Sequence, residues 1–168
     1  MRGALLTGHR EAEGLTAAVG AAHHATLGQT MPIAGNMLAL ARQHGLAVKP
    51  GVRLDGLSPL MAPGIEAVSR AARELGLPHG VVTSGREGRH KHGSLHYEGR
   101  ALDFRGNTLT IGQGRSLERL VQRQLGTDYQ VQFEVFPAQP DRNHLHVEHD
   151  PKAGPGKASS PTNRLKSE

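Results

Sequence analysis

Six of the eleven histidines in this 168-residue chain fall in two short windows, His90 to His96 and His144 to His149. The first window overlaps "HGSLHYEGRALDFR", residues 92–105, which brings Asp103 in after His96; the second lies in "NHLHVEHD". Imidazoles gathered near a carboxylate point to metal binding. Two imidazoles and one carboxylate leave a tetrahedral zinc with its fourth position open, the arrangement of a catalytic rather than a structural site. The chain has no cysteine, so neither a thiolate site nor a disulfide is available to it. The helical metalloprotease signature H-E-x-x-H is also absent, so other elements must hold any such ion. Two histidines on one polar sheet face are also ordinary surface residues. What strengthens the metal reading is that a second window supplies His96 and Asp103.

The elements that must position these side chains are legible in the pattern. "HLHVE" alternates, so as a strand it sets His144, His146 and Glu148 on one face and Leu145 and Val147 on the other. "YQVQFEVF" alternates as well, with Tyr129, Val131, Phe133 and Val135 toward a core and Gln130, Gln132 and Glu134 away from it. With "PAQPDRN" as the turn, the two strands form a hairpin that makes Glu134 a neighbour of the histidine pair. "RALDFR" puts Ala101, Asp103 and Arg105 on one face against Leu102 and Phe104, and "GVVTSG" is a short buried strand. "KPGVRLDG" reads as a loop.

In "SPLMAPGIEAVSRAARELGLP", Met61, Ile65, Val68, Ala72 and Leu75 recur at helical steps, and Gly76 and Pro78 stop the helix. "SLERLVQRQLG" carries a stripe of Leu117, Leu120, Val121 and Leu125, with Ser116 as cap and Gly126 as stop. "TMPIAGNMLALARQHG" reads as a short helix from Thr30 and Pro32 to Gly45. Helices followed by antiparallel strands predict an α+β fold, a small antiparallel sheet with helices packed on one face. The expected organisation is a leader over residues 1–50 that includes the short helix, a functional domain over 51–150, and a disordered basic tail over 151–168.

Composition narrows the function classes. Hydrophobic residues make up 36% and aromatics 3%, so the core is small and aliphatic. No stretch is apolar enough for a signal peptide or a membrane span, so delivery to an extracytoplasmic substrate must come from elsewhere. The net charge of +5 concentrates in the tail, where Lys152, Lys157, Arg164 and Lys166 face Glu168 alone. No basic run is interleaved with aromatics, which argues against a specific nucleic-acid surface.

"SLHYEGRALDFR" and "HLH" together resemble the zinc-binding segments of the hedgehog signalling domain and its peptidase relatives, the zinc D-Ala-D-Ala carboxypeptidases and LAS-type murein endopeptidases. The shared pattern is Ser-x-His, then Gly-x-Ala-x-Asp, and later His-x-His. The chain supplies it as Ser94, His96, Gly99, Ala101, Asp103, His144 and His146. "VVTSGREG" is similar to the strand and loop carrying a substrate-binding arginine in these peptidases, and "DYQVQFE" to the strand ending in their catalytic glutamate. The resemblance spans roughly residues 57–151. It implies His96, Asp103 and His146 as ligands of Zn2+, with His144 and His90 helping to stabilise the reaction's oxyanion. Arg86 and Ser94 fall on the substrate side.

Many carboxypeptidase relatives place a glutamate three residues before the last zinc histidine, where this chain has Asn143. Glu134, Asp141 and Glu148 remain as carboxylates able to act as base, and Glu134 is preferred for its place beside His144 on the hairpin. The implied function is a zinc metallopeptidase that hydrolyses peptidoglycan stem or cross-link peptides, working as a monomer without nucleic-acid or membrane partners. The missing leader suits a phage protein carried in the virion or released at host lysis, or an enzyme that stays cytoplasmic until released. Asn143 leaves a catalytically silent, zinc-stabilised binding domain as the alternative. A basic nucleic-acid-binding virion protein is a further one.

Overall fold

Five strands and three helices arise from these patterns in a computed structural model that describes residues 36–152. The expected helix start at Thr30 and Pro32, most of the leader and the tail beyond Lys152 lie outside the described residues. The first described helix, α1 (Met37–Gln43), opens at Asn36, whose side chain accepts from the Ala39 amide at 2.9 Å. It leads through Leu46 into β1 (Ala47–Val48), a two-residue strand that the loop-like sequence conceals. Met37, Leu40, Ala41 and Leu46 are buried in the same core as the later elements. The packed unit therefore includes residues ahead of the boundary expected at residue 50.

A 3-10 turn, Pro59–Met61, runs into α2 (Ala62–Glu74). Ile65, Val68 and Ala72 bury its apolar stripe, while Leu75, expected on that stripe, is the cap residue and faces solvent. β2 (Val81–Ser84) and β3 (Ala101–Arg105) follow, then α3 (Ile111–Leu125). α3 starts well before the expected cap at Ser116. Its cap is Thr110, whose hydroxyl accepts from the Gln113 amide while the Gln113 side chain accepts from the Thr110 amide, a reciprocal capping box. Ser116 lies inside the helix and accepts from Arg119. β4 (Tyr129–Glu134) and β5 (His144–His149) close the domain as a hairpin.

The strands form one sheet in the order β1-β2-β3-β5-β4. All neighbours run antiparallel except β1 and β2, which are parallel, so the α+β fold stands but its sheet is mixed rather than purely antiparallel. Leu102, Phe104, Val131, Phe133, Leu145 and Val147 all point to one face and are fully or almost fully buried. Helices cover that face: Gly64 of α2 lies against Val147, and Gly114 of α3 against the Phe133 ring. A Cβ at Gly114 would collide with that ring, so only glycine lets helix and strand come this close. Val135, expected in the core, falls beyond the end of β4 and is only partly buried.

α3 also finishes the outer edge of β4. Gln122 accepts from the Val131 amide at 3.0 Å and donates to the Tyr129 carbonyl at 2.9 Å, and Glu118 accepts from the Phe133 amide at 2.9 Å. The opposite face of the sheet carries Asp103, Glu134, His144, His146 and Glu148. No helix of the described residues is long and apolar enough to cross a membrane.

Candidate metal centre

Asp103 stands at the middle of this open face because β3 pairs with β5 in a register that puts it opposite His146. Its Oδ1 lies 2.8 Å from His146 Nδ1 and 3.4 Å from His96 Nε2. His96 arrives from the turn before β3, where Gly99 at φ 68° reverses the chain so tightly that a Cβ there would strike the Gly56 carbonyl. One ligand atom from each of His96, Asp103 and His146 lies within 4.8 Å of the others, so the three form a group that can hold a metal ion.

The surroundings fit that use. His96 is 2% exposed, and its Nδ1 sits 2.6 Å from the Gly85 carbonyl. A carbonyl only accepts, so Nδ1 carries a proton and Nε2 is the nitrogen turned toward Asp103. His146 places Nε2 3.0 Å from Glu148 Oε2, which leaves Nδ1 on the Asp103 side. Ligand histidines in metal sites characteristically donate the other ring N–H to a carbonyl or carboxylate, and both histidines have such a partner.

Without a metal the same contacts make an ion pair. Burial disfavours charge on Asp103, yet hydrogen bonds from His146 and His96 hold its carboxyl well below the usual carboxylate range. Burial likewise works against charge on His146, and hydrogen bonds to Asp103 and Glu148 outweigh it, pushing the imidazole up to about 10. The proton on His146 thus occupies the place a cation would take.

His144 and Glu134 are directly opposed in the hairpin register. His144 donates from Nδ1 to the Arg142 carbonyl at 2.8 Å, and its Nε2 lies 3.6 Å from Glu134 Oε2 and 3.7 Å from Asp103 Oδ1. The hairpin therefore brings Glu134 beside the histidine pair as its alternation predicted. His90 stacks on His96, with ring centroids 4.0 Å apart and planes within 9°, and its Nε2 bonds the Glu87 carbonyl at 2.7 Å. Tyr97, which the sequence reading passed over, fixes His90 through both backbone groups at 2.8 and 2.9 Å. His92 is exposed.

The remaining site residues are engaged by loops. Ser94 accepts from the His96 amide at 3.4 Å, within its own turn. Arg86 is exposed, lies over Gly56 and donates to the Tyr97 carbonyl at 3.4 Å. Asp141 is exposed in the 3-10 turn Pro140–Arg142, where its carbonyl accepts from Asn107. Asn143 accepts from the Phe136 amide through its side chain at 2.8 Å and from the Gly106 amide through its carbonyl. The Asn143 side chain closes the loop, and its backbone carbonyl ties the loop to the residue that follows β3. No family model, curated protein or solved structure matches the chain.

Proposed function

We propose that this chain is a zinc-dependent metallopeptidase that cleaves peptidoglycan stem or cross-link peptides. One observation carries the reading: the Glu134–His144 cross-strand pair stands beside the His96, Asp103 and His146 group on the polar face of the sheet. Two imidazoles and a carboxylate suit zinc with a position left for substrate or water. When bound, zinc would supply Lewis acidity toward a carbonyl oxygen and toward water.

The chain's own residues have the remaining roles. Glu134 takes a proton from the attacking water and delivers it to the leaving amine, the task of a positioned carboxylate. His144 keeps its Nδ1 proton on the Arg142 carbonyl, so when protonated it donates from Nε2 to the oxygen that gains negative charge. His90 supports the His96 ring from behind and offers only its Nδ1 edge to a substrate. The substrate class rests on the resemblance of "SLHYEGRALDFR" and "HLH" to the murein peptidases.

Digestion of purified muropeptides by the zinc-loaded protein, with products identified by mass spectrometry, tests the proposal. Shortened or separated stem peptides are expected. Glu134→Gln should lower turnover by about 10²–10⁴-fold while zinc content stays near one per chain. Intact muropeptides after prolonged incubation would contradict the peptidase reading. Zinc-stabilised protein with no hydrolysis would favour the silent binding domain, the reading that Asn143 supports by filling the usual glutamate position.

A further inference from the structure

The segment "VVTSGREG", read from sequence for Arg86, brings a different side chain to bear on the metal group. Glu87 folds back over its own loop. Its Oε2 accepts from the Arg53 amide at 2.7 Å and from the Gly85 amide at 3.2 Å, and its Oε1 lies 3.1 Å from the same Gly85 nitrogen. The Arg86 amide donates in turn to the Arg53 carbonyl at 3.2 Å. Gly85 is thereby held on both sides, its own N–H by Glu87 and the next N–H by Arg53. A Cβ at Gly85 would collide with the Arg53 carbonyl, so only glycine admits this approach. Burial disfavours charge on Glu87, yet hydrogen bonds from backbone amides, including those of Arg53 and Gly85, hold its carboxyl below the usual carboxylate range.

The peptide fixed in this way is the one that His96 uses. The Gly85 carbonyl lies 2.6 Å from His96 Nδ1. The Glu87 carbonyl lies 2.7 Å from His90 Nε2, and the His90 ring stacks on His96. We infer that Glu87 is a positioning residue of the metal group. Its carboxylate sets the Gly85 carbonyl that orients the His96 ring, and its backbone carbonyl sets the His90 ring that backs it. The inference rests on the metal reading of His96, Asp103 and His146, and not on peptide hydrolysis. His96 is only 2% exposed, so a ring that lost this acceptor would have little solvent to replace it. Loss of the partner on a ligand histidine's far nitrogen typically weakens metal binding by about 10- to 100-fold. Glu87 acts one contact further out, so its removal should cost about tenfold, the lower end of that range.

The test measures zinc binding to the full chain by calorimetry against a competing chelator, with the melting temperature of each metal-free protein alongside. Glu87→Ala should raise the zinc Kd by about tenfold. Glu87→Gln, which keeps one oxygen able to accept from both amides, should fall between it and the wild type. Asp55→Ala removes the ion pair of the Arg53 side chain and leaves the Glu87 contacts in place, so its Kd should equal that of the wild type. A purely structural role for Glu87 would lower the melting temperature alone, because Kd is unaltered while the chain stays folded. In the metal-free protein, the His96 Nδ1 proton followed by NMR should exchange with solvent faster in Glu87→Ala than in the wild type. A wild-type Kd in Glu87→Ala, or an equal rise in Asp55→Ala, would overturn the assignment. Should Glu87→Ala fail to fold, a wild-type Kd in Glu87→Gln overturns it instead. The expected order of Kd values without any hydrolysis of muropeptides would support the assignment and end the peptidase reading. A wild type that takes up no zinc would overturn the assignment and the metal reading together.

Discussion

At the scale of single residues, the metal group sets the sharpest tests. Purified protein should hold zinc at one site per chain, and His146→Ala should lose it; equal zinc in both would remove His146 from the ligand set. Glu148→Gln keeps the shape of the contact to His146 Nε2 but removes its charge, and should weaken metal affinity by about 10- to 100-fold. Binding should also be coupled to protons. His146, raised to about 10, stabilises the metal-free fold fully below the ordinary imidazole pKa and loses that contribution as pH rises through its own value. Asp103, lowered, stabilises it above the ordinary carboxylate pKa and loses that contribution as pH falls. Near neutral pH an entering cation must displace the His146 proton. Zinc affinity should therefore climb by about tenfold per pH unit, with about one proton released per ion. Calorimetry in buffers of differing ionisation enthalpy reads that proton, and a buffer-independent heat would rule it out. Asp103 and His146 were legible as outward-facing strand residues because strands alternate with period two, whereas the choice of His96 with them came from the resemblance of "SLHYEGRALDFR" and "HLH" to the murein peptidases. The Gly85 carbonyl on His96 was not legible, because a backbone oxygen has no residue identity to read.

Whole elements were read unevenly. β3, β4 and β5 were apparent from alternation, and the stripe on α3 from helical spacing. The beginning of α3 was hidden by Gly112 and Gly114, poor helix formers that make "TIGQGR" look like a loop. Gly114 is there because Phe133 packs onto the helix backbone, a tertiary demand invisible in local sequence. β1 escaped notice because two residues cannot show a period. Urea denaturation tests the reassigned cap. Thr110→Ala should cost about 1 kcal/mol, the usual value of an N-cap hydroxyl, while Ser116→Ala should stay within about 0.5 kcal/mol. The reverse order would return the helix start to Ser116. Gly114→Ala should cost about 1–3 kcal/mol through overpacking against Phe133.

For the molecule as a whole, a metal bound at the candidate site would be linked to the fold. The three candidate ligand residues come from one turn and two strands, so an ion that binds only the folded chain would add to its stability. Zinc at a hundredfold excess over its Kd should contribute about 2.7 kcal/mol. A chelator should accordingly lower the melting temperature, and no change on chelation would mean that the ion does not bind the folded form selectively. If the chain acts on peptides as proposed, the finished edge of β4 limits how one can dock. Gln122 and Glu118 already occupy the amides and carbonyl through which another strand would dock next to Glu134. Recognition by strand addition depends on a regular main chain of uniform handedness. With that route closed, a peptide reaching Glu134 must lie across the strands and be held through its side groups and its end. On that reading, D-residues or isopeptide links that would interrupt a strand ladder have no ladder to interrupt here.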